Sequence, residues 1–194
     1  MNKSIILLDL EATCFSIEDA ANETINPIPR DESEIIEIGA VLYDDGEVLD
    51  SFTVFCKPVV HKELSKFCTK LTTITQSDVD SAPTLQEAIK LFDAWVEKQR
   101  KVYGVDQWGS WGFYDKNQFQ RNRNLLKIKN LMSIERLRHK NISDIYKVKT
   151  NLKRKVGIAG ALRQNGLDFE GVHHRAIYDA INIGRVLKKS GIEY

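Results

Sequence analysis

Apolar positions fall into two patterns along this chain, and their order points to a layered α/β fold. Residues 5–8, IILL, are apolar without interruption and run straight into Asp9 and Glu11. That run reads as a buried strand over 4–10. IIEIGAVLYDD (35–45) and EVLDSFTVFCKP (47–58) read as two further strands joined by a tight turn at Asp45-Gly46. The intervening SIEDAANETINPIPRDE (16–32) is polar, carries two prolines and predicts a long loop of the kind often kept for function.

Helical spacing takes over further along. ELSKF (63–67) predicts a short helix. In TLQEAIKLFDAWVEKQ, Leu85, Ala88, Ile89, Phe92 and Val96 recur on one helical face behind the entry signal Pro83. KVYGVDQWGSW (101–111) predicts a central strand, and YDKNQFQRNRNLL the helix after it. ISDIYKVK (142–149), KVGIAGALRQNG (155–166, closed by Gly166) and RAIYDAINIGRVLKKSG (175–191) complete a helical second half. Three strands, a helix, a strand and then helices imply a hairpin sheet extended by parallel strands, with helices on its faces. Sites in such open sheets form at the carboxyl ends of central strands. Asp9 and Glu11 would lie at one such end, and Asp115 just past another.

Composition narrows the class. At 194 residues and 42% hydrophobic content the chain fits one domain, 1–194, with a sizeable core. No apolar run approaches the ~20 residues that span a bilayer, and MNKSIILLDLEAT turns acidic too early for a secretory segment. Cys14, Cys56 and Cys68 are odd in number and form no C-x-x-C pair, which argues against a disulfide framework or a zinc site. A reducing, cytoplasmic setting is the expectation. The net charge of +1 hides an asymmetry: residues 1–50 hold thirteen acids against two bases, and residues 121–155 twelve bases against two acids. A solvated helical face would explain the basic run by itself. Together the two poles suit a protein that holds cations and grips a polyanion.

Acid-x-acid occurs five times, against about four expected from composition, so only position distinguishes one pair from another. Asp9 and Glu11 continue a buried strand, where residues two apart face the same way. Like charges converging at the edge of a core repel and lose hydration unless a cation or proton compensates. The other four pairs fall in loops, turns or helix entries, where a solvated acid suffices. In HHRAIYDAINIGRVL, a helix from Ala176 would pack Ile177, Ala180, Ile181, Gly184 and Leu187, with Asp179 in its first turns and His173 or His174 before it. Taken singly, Asp179 reads as a helix-dipole partner, Asp115 as an N-cap, and Trp111, Phe113 and Tyr114 as core. Taken together, the four acids are the oxygen ligands a hard divalent cation takes. Two such ions are recurrent machinery for phosphodiester attack, and a nearby histidine would be the base.

Asp9-x-Glu11, Asp115 and His174-x-x-x-x-Asp179 in this order resemble the DEDDh branch of the DEDD 3′–5′ exonucleases. DLEATC, SEIIEIGAVLYD, KPVVHKELSKFCTKLTTITQSDVDSAPT, SWGFYDKNQF and FEGVHHRAIYDA look like the Eri-type exoribonucleases and bacterial KapD-like proteins, a similarity over roughly residues 4 to 188. The resemblance implies a ribonuclease-H-like α/β fold with a mixed five-stranded sheet flanked by helices. It implies that Asp9, Glu11, Asp115 and Asp179 hold two Mg²⁺ or Mn²⁺ ions, that Glu11 also lies near the attacking water, and that His174 rather than His173 is the general base. It implies that Leu10, Ala12 and Thr13, with Leu71 and Thr72 in CTKLTTIT (68–75), hold the 3′-terminal nucleotide. Phe15 and Tyr114 become candidates to stack on its base, although core packing competes for Tyr114. Lys153 and Arg154 lead the basic residues expected on upstream phosphates, with Lys127, Lys129, Arg136, Arg138 and Lys155. The partner implied is a single-stranded 3′ end, RNA before DNA, with no membrane and no small-molecule cofactor. A DNA-directed proofreading exonuclease and a non-catalytic binding module on the same fold are the alternatives. Two departures stand out: Phe113, often polar in relatives, and Thr73, where many relatives carry glycine.

Overall fold

The computed structural model of the chain describes residues 4–16 and 28–194; most of the loop read over 16–32 lies outside them. Five strands form one sheet in the order β3-β2-β1-β4-β5. They are β1 (Ile5–Ala12), β2 (Ile35–Asp44), β3 (Glu47–Phe55), β4 (Gln107–Ser110) and β5 (Arg138–Asn141). β1 runs antiparallel to β2 and β2 to β3, whereas β4 lies parallel to β1 and β5 parallel to β4. The expected mixed five-stranded sheet is therefore present. Asp45 and Gly46 both have positive φ, the arrangement a two-residue hairpin turn requires.

Helices cover both faces, which is why β1 reads as an unbroken apolar run rather than an alternation. On one face Ile6, Leu8, Leu10, Ile38, Ala40 and Leu42 pack against α3 (Leu85–Tyr103) and α4 (Tyr114–Leu125). On the other, Ile5, Leu7, Val41 and Tyr43 pack under α5 (Ile142–Lys149), α6 (Ile158–Gln164) and α7 (Ala176–Ser190). Asp9 and Glu11 continue the odd-numbered series of β1 and so face α7. α1 (Lys66–Thr72) and α2 (Gln76–Asp80) close the end of the sheet beside them, burying Cys68, Ile74 and Val79 against Ile36.

The structure differs from the sequence pattern in several places. The strand expected over 101–111 is only Gln107–Ser110, because α3 continues to Tyr103 and stops at Gly104 in the left-handed region (φ 67). β5 reads RHKN and has no apolar pattern, so it was absent from the periodicity. α2 is a five-residue helix closed by a Thr75–Asp78 capping box. The packed face of α7 turns toward Ile183 and Val186, leaving Ile177 and Ile181 only partly buried. Thr73 ends α1 with φ 62, a C-terminal position where glycine is the usual residue.

Candidate active site

Three elements bring the acids together. β1 ends in Asp9 and Glu11, and α7 contributes Asp179 one turn from its start. Asp9, Glu11 and Asp179 each offer an oxygen within 4.8 Å of the others. Asp115 enters from the first turn of α4, just past β4, where its Oδ1 accepts the Leu10 N–H at 3.1 Å. It is buried and close enough to raise the Asp9 pKa, but does not line the cavity.

A cleft of about 440 Å³ opens over these groups, lined by Asp9, Glu11, Asp179, His173, His174 and Tyr114 among others. Leu10, Ala12 and Leu71 also line it, as expected. The remaining expected contacts lie elsewhere. Thr72 is fully buried, its hydroxyl donating to the Cys68 carbonyl, and Thr13 is buried with its hydroxyl accepting the Glu34 N–H. Phe15 is partly exposed beyond β1, and Lys153 and Arg154 are exposed on the approach to α6. None of these five residues lines the cavity, and Phe113 stands exposed against the His139 ring. Of the other basic residues, Arg138 pairs with Asp106 and Lys155 with Asp144.

The electrostatics show what the acids lack. Burial, then the charges of Asp115, Asp179, Glu11 and Glu37, raises Asp9 well above the usual carboxylate range. Burial, then Asp179 and Glu37, pushes Glu11 up to about 9. Burial lifts Asp179 to about 7 against the opposing His174 N–H, and lifts Asp115 to about 6 against the donors it accepts. Charge accumulates here without a counter-charge, and every ligating atom is a carboxylate oxygen. That donor set fits a hard divalent cation and does not fit a thiolate- or imidazole-preferring metal.

Both histidines of the HH pair face the acids. His174 Nδ1 lies 3.9 Å from Glu11 Oε1, and His173 Nε2 lies 4.0 Å from Asp179 Oδ1, with the two rings 4.0 Å apart. Burial, joined by the neighbouring His173, lowers the pKa of His174 and so favours its neutral ring. His174 has φ 60, a left-handed conformation rare outside glycine, and its N–H donates to Asp179 Oδ2 at 2.9 Å. The sequence reading missed Trp111, Cys14 and the Gly157–Ala159 stretch as cavity residues. Trp111 does pack, partly buried, against the core and the Tyr146 ring, and its indole N–H donates to the Val156 carbonyl at 2.8 Å, tying that stretch to the cleft wall.

Comparison with known proteins identifies the family and the fold. The family model RNase_T, described as exonuclease, matches residues 6–187. The chain is 26% identical to ERI1 exoribonuclease 2 of Xenopus laevis over 95% of its own length and 28% of that protein. It is 30% identical to human 3′-5′ exoribonuclease 1 over 94% of its length and 50% of that protein. The chain thus spans half or less of these curated relatives. Among solved structures, the nuclease domain of 3′hExo, a DEDDh family member bound to rAMP, superposes with a TM-score of 0.81 at 27% identity, covering 96% of this chain and 90% of that one. The sheet and its flanking helices are the ribonuclease-H-like exonuclease fold of these neighbours.

Proposed function

This chain belongs to the RNase_T exonuclease family, and we propose that it is a metal-dependent 3′–5′ exonuclease that releases nucleoside 5′-monophosphates from the 3′ end of single-stranded RNA. The observation that carries the reading is the uncompensated carboxylate group at the end of β1, faced by a neutral histidine in an open cleft. Asp9, Glu11, Asp115 and Asp179 would hold two Mg²⁺ or Mn²⁺ ions. When bound, the ions supply counter-charge to the acids, acidity to water and stabilisation of charge on the phosphate.

The chain's own residues do the rest. Glu11 orients the attacking water beside His174, and Nδ1 of the neutral imidazole takes its proton. The water oxygen bonds to phosphorus as the bond to the 3′-oxygen of the preceding nucleotide breaks; that oxygen takes a proton from solvent to become a 3′-hydroxyl, the imidazolium returns its proton to solvent, and the 5′-monophosphate departs. Leu10, Ala12 and Leu71 shape the wall for the terminal nucleotide, and Tyr114, about two-fifths exposed at the cleft, offers a ring face to its base. Exposed Lys153 and Arg154 reach upstream phosphates without sequence preference. The three free cysteines and the intracellular polyanion substrate are consistent with a cytoplasmic enzyme; among the described residues no helix is long and apolar enough to cross a membrane.

The test is digestion of matched 5′-labelled RNA and DNA oligonucleotides with Mg²⁺ or Mn²⁺, with product length resolved over time. Stepwise shortening of linear RNA, an intact circular strand and arrest by EDTA are expected. Cleavage of the circle would make the enzyme an endonuclease, faster shortening of DNA would move the substrate class, and no EDTA effect would overturn the metal mechanism.

A further inference from the structure

Another acid lies on the same sheet face as Asp9 and Glu11 and behaves differently. Glu37, in the middle of β2, pairs directly across from Glu11 in the antiparallel register and is fully buried. Its carboxylate accepts from Arg175 Nε at 3.1 Å and Nη2 at 3.1 Å, from the Ala176 N–H at 3.0 Å and from the Thr53 hydroxyl at 3.3 Å. Arg175 is the residue before α7, yet its side chain does not cap the helix. Glu37 reaches over from the sheet and takes the first helical N–H instead. Arg175 also lies over the Phe55 ring, 4.8 Å from its centre, and Phe55 is Glu37's partner on β3.

Two residues along β2, Gly39 pairs with Asp9. A Cβ there would stand 2.2 Å from the Ala176 carbonyl carbon and the Ile177 nitrogen, so the start of α7 rests on bare backbone. The helix start is thus fixed at neighbouring positions on one face, by space at Gly39 and by charge at Glu37. His174 sits immediately before this anchor in its left-handed conformation, and Asp179 follows one turn later. An unfavourable φ persists only where its surroundings over-determine it. The His174 turn is held on one side by its own N–H to Asp179 and on the other by Arg175 and Ala176.

We infer that Glu37 and Arg175 are positioning residues for the reaction: the pair locks the turn that aims the His174 ring at Glu11, without touching substrate or metal. The inference rests on His174 being the base. Its test is kinetics on the single-stranded RNA oligonucleotide for Arg175→Lys, Glu37→Gln, His174→Ala and the double variant Arg175→Lys/His174→Ala, beside Mn²⁺ binding and thermal melting of each. Lysine keeps the charge but loses the two-pronged geometry. Arg175→Lys is expected to lower kcat about tenfold or more, with KM and Mn²⁺ affinity within about twofold of wild type, as a lost orienting partner does. Glu37→Gln is expected to behave in the same way. The double variant is expected to be no slower than His174→Ala, because the arginine acts through the histidine. Multiplying losses in the double variant, or a loss residing in Mn²⁺ affinity, would overturn the positioning role. A His174→Ala enzyme as fast as wild type would overturn the base assignment and the inference together, and that failure is visible in the single variant.

Discussion

Glu11 and Glu37 sit opposite one another on neighbouring strands, and they show two ways in which a buried acid can be tolerated. Glu37 is saturated with donors from Arg175, Ala176 and Thr53. Glu34 is similar, accepting the N–H groups of Val59, Val60 and His61 at 2.7, 3.0 and 2.9 Å. Among the described residues no hydrogen bond reaches the carboxylates of Asp9 or Glu11, and their proton affinities rise accordingly. Burial alone therefore does not identify a ligand. A buried carboxylate with its donors in place holds the fold together, and one without them waits for a cation.

The largest effect that would break this comparison is at Asp9. Asp9→Asn removes a proposed ligand and relieves repulsion, so hydrolysis of the RNA oligonucleotide should fall about a thousandfold or more, as removal of a group central to transition-state charge stabilisation does. Thermal melting in EDTA should show the variant at least as stable as wild type. Glu37→Ala should do the opposite in kind. It strands a partly buried guanidinium and the Ala176 N–H, at a cost of about 3 kcal/mol in chemical denaturation. Smallest of all, Lys153→Ala and Arg154→Ala should leave kcat unchanged and weaken RNA binding by about twofold to fivefold, with a shallower salt dependence measured by fluorescence anisotropy.

The same comparison explains what was legible in the sequence. Asp9 and Glu11 stood out because an apolar run carried them to the end of a buried strand, and the spacing of Asp179 behind the HH pair placed it on the first turn of α7. Glu37 gave an equally readable signal, an acid inside IIEIGAVLYD, but its answering charge is 138 positions away and no local pattern links the two. Nor could periodicity choose between His173 and His174, and the fold brings both rings to the acids. β5 was silent because an edge strand of four polar residues has no buried face to imprint on its sequence. The misplaced start of β4 had a readable cause: Gly104 is the left-handed stop of α3, a signal outweighed by the β-branched and aromatic residues around it.

The central claim is that the acids at the end of β1 are poised for a cation while Glu37 is not, and thermal melting against pH, with EDTA or with Mg²⁺, tests it most directly. Glu11 and Asp179 have folded-state pKa values raised to about 9 and about 7, above their ordinary carboxylate values. In EDTA the folded state therefore holds protons that the unfolded chain has already lost. The stability contributed by those protons is fully present below about pH 4 and is lost as pH rises through the folded-state values. The histidines, whose pKa values are lowered, add nothing to this slope, whereas the Cys68 hydrogen bond raises the Cys14 thiol and burial raises that of Cys56, so both add a loss near pH 9 that Mg²⁺ does not remove. Wild type should melt lower at pH 9 than at pH 7 in EDTA, have a shallower slope in Mg²⁺, and gain more from Mg²⁺ at pH 9. Glu37→Gln should keep the gain from Mg²⁺ with a shallower slope in EDTA, because its charge helps to raise Glu11, and Asp9→Asn should lose most of the gain from Mg²⁺. An Asp9→Asn protein that gains as much from Mg²⁺ as wild type, or a wild type that gains nothing, would contradict the account.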